Sequence, residues 1–141
     1  MTIEILTQNV EKPLLDWEKV ERWIVEVAHR LGRRTGALTY IFCDDERILE
    51  VNRQYLQHDY YTDIITFDNT TGRLIRGDMF ISLGTVATNA EAVGASYDDE
   101  LMRVIIHGVL HLCGINDKGS GEREVMEAHE NDALALWRAG C

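Results

Sequence analysis

The 141-residue chain has the length of one ordinary domain with one core, 45% of its residues are apolar, and its formal net charge is −10. No apolar run approaches the ~18 residues that would span a membrane, and Met1-Thr2-Ile3-Glu4 lacks a signal-peptide pattern. The acidic balance argues against nonspecific nucleic-acid binding, so any nucleic-acid partner needs a local basic patch. Cys43, Cys113 and Cys141 form an odd, widely spaced set, which points to a reducing cytoplasmic compartment rather than a disulfide framework.

In chain order, Thr2–Leu6 reads as a strand. Asp16–Leu31 follows as an amphipathic helix with Val20, Trp23, Ile24, Val27 and Leu31 on one stripe, closed by Gly32. Leu38–Cys43 is a second strand, and Asp44 or Asp45 caps a helix running to about Leu56. Gln57–Thr62 is a loop carrying His58, Asp59, Tyr60 and Tyr61. Asp63–Asp68 and Asp78–Ser82 read as strands of a loose hairpin, with Asn69, Gly72 and Gly77 between them. Ser82 caps a short helix ending near Gly94, and Ser96 with Asp99 opens a helix that becomes apolar all round after Arg103. Ser120 opens the last helix, to about Arg138, with Val125, Met126, Ala133, Leu136 and Trp137 as its stripe. These elements predict one α/β (α+β) domain over residues 1–141, with a small mixed four-stranded sheet, about five helices and a central buried helix.

That buried helix carries the chemistry. His107 and His111 stand four apart, so they share a face at roughly 5–6 Å between Cβ atoms. Two imidazoles among Val104, Ile105, Leu110 and Leu112 are costly to bury unless paired or bound to an ion. Gly114 suits a left-handed helix end, after which the chain turns back and brings Asp117 to the same ion. Two nitrogens and one oxygen leave a fourth tetrahedral position open, the arrangement of a catalytic zinc site. A carboxylate in the set also admits nickel, iron or manganese. Cys113 projects about 160° around the helix from His111 and reads as a small buried apolar residue. The spacing also fits a long metalloprotease motif, except that Gly108 stands where that motif places its glutamate base. A carboxylate from elsewhere in the fold that hydrogen-bonds the metal's water, from Asp63 or Asp78, would restore the peptidase reading.

The chain resembles the YbeY family of bacterial metal-dependent endoribonucleases of ribosomal RNA maturation. The resemblance rests on His107-Gly108-x-Leu110-His111-Leu112-x-Gly114-x-Asn116-Asp117. It continues in Asn52-Arg53-Gln54-Tyr55, Thr62-Asp63-Ile64-Ile65-Thr66-Phe67, Gly77-Asp78-Met79-Phe80-Ile81-Ser82 and Met126-Glu127-Ala128. It implies single-strand-directed endonuclease activity on 16S ribosomal RNA with one zinc ion per chain on His107, His111 and Asp117. It further implies partners in ribosomal RNA, the small ribosomal subunit and its assembly proteins. Two positions depart from the family pattern: Asp117 replaces a third histidine, and Leu56 replaces an arginine associated with RNA cleavage. Arg53, one helical turn earlier, is the candidate replacement. Lys118 is a second cation for the phosphoryl charge, with Arg73 and Arg76 as further candidates, and His58 is the candidate loop residue for proton transfer. Two other readings stand beside the nuclease: a zinc peptidase or amidase, and a noncatalytic ribosome-assembly factor.

Overall fold

The structure is a computed structural model that describes residues 3–58 and 61–140. Four strands, β1 (Ile3–Gln8), β2 (Arg34–Cys43), β3 (Ile64–Asp68) and β4 (Leu74–Ser82), form one mixed sheet in the order β1-β2-β4-β3. β1 and β4 run parallel to β2, and β3 pairs antiparallel with β4. Five helices complete the described residues: α1 (Trp17–Arg30), α2 (Asp45–Leu56), α3 (Leu83–Val93), α4 (Tyr97–Leu112) and α5 (Glu122–Arg138). The expected α+β class, strand number and helix number are all present.

The caps explain most boundaries. Asp16, Asp44, Ser82 and Ser96 each accept a hydrogen bond from the backbone N–H three residues on, satisfying donors that a helix start leaves open. α5 differs from expectation. It begins at Glu122 after a left-handed Gly121, with no side-chain cap, and Ser120 lies outside it. Its stripe is also rotated: Val125 is 52% exposed, whereas Leu134 is buried beside Met126 and Ala133. β2 and β4 each begin four residues earlier than their apolar patterns indicate. Arg34 and Thr35 pair with Leu74 and Ile75 across a register shift before Leu38, a bulge that leaves no clean alternation to read.

Period-two alternation sends the strands' apolar residues to two faces. Leu38, Tyr40, Phe42, Ile75, Met79 and Ile81 join α1, α4 and α5 in the main core. Cys43 and Ile65 face α2 through Ile48 and Val51, with Phe67 and Phe80 alongside. Polar anchors fix the helices on the first face. Trp23 is fully buried and its indole N–H donates to the Ala133 carbonyl at 2.8 Å, tying α1 to α5. The buried Tyr40 hydroxyl donates to the Ile105 carbonyl at 2.9 Å, setting the height of α4 over the sheet. α4 is therefore central, as expected, but not uniformly covered. His107 and His111 are half-buried and face outward beside the edge strand β3.

Candidate metal centre and active site

The end of α4 is built as the sequence indicates. Gly114 takes φ +93°, its N–H reaches the His111 carbonyl, and the Ile115 N–H reaches the Leu110 carbonyl, both at 3.0 Å. This is the paired-bond helix stop that needs a left-handed residue, and Ile115 packs back on the core. The chain consequently reverses, and Asp117 returns to α4, with its Oδ2 3.3 Å from His107 Nε2.

His107 has a carboxylate on each side of its ring. Nδ1 lies 2.7 Å from Glu130 Oε2 on α5, opposite the Asp117 contact. Glu130 is 8% exposed and its other oxygen accepts from Arg103 Nη1 at 2.8 Å, while Arg103 Nη2 donates to Asn131 Oδ1 at 2.8 Å. Burial is the largest influence on both members of the His107–Glu130 pair and opposes their charges. The mutual hydrogen bond and the neighbouring charges outweigh it. His107 is held above the usual histidine range and Glu130 below the usual carboxylate range.

A cleft of about 710 Å³ opens over this face. His107, His111 and Asp117 all line it, as do His58 and Lys118. Arg53 is exposed on α2 and is not among the lining residues; Asn52 and Leu56, one helical turn apart, take that face instead. Arg73 and Arg76 lie at the hairpin, also away from the cleft. Asp59 and Tyr60 fall outside the described residues. Sequence reading missed Arg123, Glu100 and Glu130, which reach the cleft from α5 and α4. Only the spacing of Arg103 and His107, i and i+4, carried a hint of a shared partner for those two residues.

Asp63 enters the cleft at the foot of β3, where Asn89 Nδ2 donates to its Oδ2 at 3.4 Å. Burial raises its pKa above the ordinary range, opposed by the charge of His107. Glu100 is raised for the same first reason. Asp78, by contrast, sits on β4 between Thr39 and Phe67 and does not line the cleft. Cys113 is buried and its thiol is pushed up to about 11, mainly by desolvation, so it stays an apolar packing residue.

Two imidazoles and a carboxylate on one wall are residue types that could serve as metal ligands. Two ligands at 2.0–2.1 Å from a tetrahedral zinc are about 3.3 Å apart, the distance that separates His107 Nε2 from Asp117 Oδ2. Five acids line the cleft (Asp63, Glu100, Asp117, Glu127, Glu130) against three bases (Arg103, Lys118, Arg123), a surplus suited to a cation. Among the described residues, no three His, Cys, Asp or Glu side chains converge on one point. His111 shares the wall with the other two but is not drawn onto them.

The family model described as Endoribonuclease YbeY matches residues 3–138. The chain belongs to the YbeY family. It is 62% identical over 136 residues to the Endoribonuclease YbeY of Bacteroides thetaiotaomicron, covering 96% of this chain and 99% of that one. It is 48% identical over 136 residues to the YbeY of Porphyromonas gingivalis strain W83, covering 96% and 90%. The solution structure of TM1509 from Thermotoga maritima has the same fold, with a TM-score of 0.67 at 24% identity over 98% of this chain and 93% of that one. Among the described residues, no helix is long and apolar enough to cross a membrane.

Proposed function

We propose that this YbeY-family chain is a metal-dependent endoribonuclease that cuts unpaired segments of ribosomal RNA during small-subunit maturation, with zinc as its ion. What carries this reading is one combination. A chain matched nearly end to end by proteins named endoribonuclease turns His107 Nε2 onto Asp117 in an acid-rich cleft beside His111. His107, His111 and Asp117 would hold the ion. When bound, it supplies Lewis-acid chemistry, acidifying water and drawing charge from the phosphoryl group. Asp63 is our assignment for the proton acceptor, since its burial favours holding a proton. His58 stands at the cleft edge as a second proton carrier. Ribosomal RNA, the small subunit and its assembly proteins are the partners of this reading.

The phosphoryl charge needs cations, and Arg103 is already committed to Glu130 and Asn131. Lys118 and Arg123 line the cleft and make no ion pair with a described residue. They are therefore better placed than Arg53 to substitute for the arginine absent at Leu56. Lys118→Ala and Arg123→Ala should each raise KM for RNA and flatten its salt dependence, whereas Arg53→Ala should change neither. Steady-state cleavage at two salt concentrations checks this, and an Arg53→Ala loss as large as theirs would reverse the assignment.

The defining experiment is cleavage of a structured precursor ribosomal RNA by the purified protein, with chelator and with zinc restored. Loss and recovery of cleavage are expected. A protein that retains stoichiometric zinc yet cuts neither free RNA nor RNA in the small subunit would instead be an assembly factor.

A further inference from the structure

We propose that Glu130 is the positioning residue of the metal centre: it fixes which nitrogen of His107 is offered to the ion, and Arg103 fixes Glu130. This inference rests on the metal reading of His107 and Asp117 given above. The argument starts from donor inventory. An ionised carboxylate only accepts hydrogen bonds, and the Arg103 guanidinium only donates. Glu130 spends Oε1 on Arg103 Nη1 at 2.8 Å and Oε2 on His107 Nδ1 at 2.7 Å. The Nδ1 atom must therefore carry a proton, which leaves Nε2 as the nitrogen that can give its lone pair to an ion once any proton there is displaced. That is the nitrogen which faces Asp117 at 3.3 Å. Metal-bound histidines commonly donate their other ring N–H to a carboxylate, which sets tautomer and ring orientation together.

The elements make this arrangement stiff. Arg103 and His107 are one helical turn apart on α4, so both reach the same point of α5. Glu130 is nearly buried there, and Asn131, the next residue on α5, takes the second arm of the guanidinium. The carboxylate thus has little freedom to rotate away. A neutral amide cannot replace it. A glutamine offers one acceptor and one donor, so either Arg103 or the Nδ1–H of His107 meets an N–H. The ring escapes that clash by moving its proton to Nε2, which removes the lone pair from the metal side.

The test is zinc affinity, measured by competition with a chromophoric chelator on wild type and Glu130→Gln, with thermal unfolding of the metal-free forms. The expected result is a zinc Kd weakened by roughly 10–100-fold in Glu130→Gln. A purely structural Glu130 would lower the melting temperature and leave the Kd unchanged, and that outcome overturns the proposal. A second measurement needs no variant: long-range proton–nitrogen correlation spectra of the histidine rings in zinc-loaded wild type. Protonated Nδ1 with Nε2 on the metal is expected for His107; the opposite pattern overturns the proposal. Wild-type protein that binds no zinc would overturn the metal reading itself, a result distinct from unchanged affinity in Glu130→Gln.

Discussion

His107→Ala and His111→Ala are each expected to cut RNA at least ~10³-fold more slowly than wild type, because about 4 kcal/mol of metal-derived charge stabilisation is lost at tenfold per 1.36 kcal/mol. The two variants should part company in stability. His107 is packed between Glu130 and Asp117, so its removal leaves a nearly buried carboxylate with one donor instead of two. That is expected to destabilise the fold by about 1–3 kcal/mol. His111 is half-buried against open cleft and makes no comparable contact with the described residues, so His111→Ala should unfold close to wild type. Denaturant unfolding alongside zinc binding and cleavage separates these effects. The His111 variant is the sharper probe, since among the described residues His111 is not drawn onto the other two side chains. A His111→Ala protein with normal zinc affinity and normal cleavage would remove His111 from the ligand set and leave His107 and Asp117 to a different ion geometry.

What sequence reading delivered, and what it missed, follows from how local each signal is. The helix stop at Gly114 is spelled in adjacent residues, and the structure places the left-handed residue there. The Asp and Ser caps are equally local, which is why four of five helix starts were legible. The site's cations were not. Arg53 is only about 60° of helix from Leu56, yet it lies about 100° round from Asn52, on the far side of that residue's stripe, and the cleft takes the i, i+4 pair Asn52 and Leu56 instead. Arg123 reaches the cleft only because the reversal after Gly114 brings the start of α5 back across α4. The Glu130 contact spans 23 residues and joins two helices whose packing phase no single pattern reports. Phase also explains the α5 error: Val125 fits an apolar stripe, but the helix is rotated so that Glu130 and Leu134 face inward with Met126.

Gly108→Glu, the change that would complete a metallopeptidase motif, is expected to destabilise the protein by several kcal/mol and to create no peptidase. Gly108 does not line the cleft. It faces the sheet, where a methyl group built on it would lie 2.6 Å from Met79 Sδ and 3.0 Å from Ile64 Cδ1. Met79 is fully buried, so a carboxylate at this position enters the core without a hydrogen-bond partner. Against a total stability of about 5–15 kcal/mol, such a penalty leaves little folded protein. Gly108→Ala separates size from charge. Overpacking costs about 1–3 kcal/mol, offset by about 1 kcal/mol of helix propensity, so a loss of at most about 2 kcal/mol is expected. The glycine is thus a packing requirement: it lets α4 lie close enough to β3 and β4 for His107 to stand at the sheet edge. Urea unfolding of both variants, with a peptide-hydrolysis assay on Gly108→Glu, decides the matter. A well-folded Gly108→Glu that hydrolyses peptides would mean that this side chain reaches the metal face after all, and the peptidase reading would return.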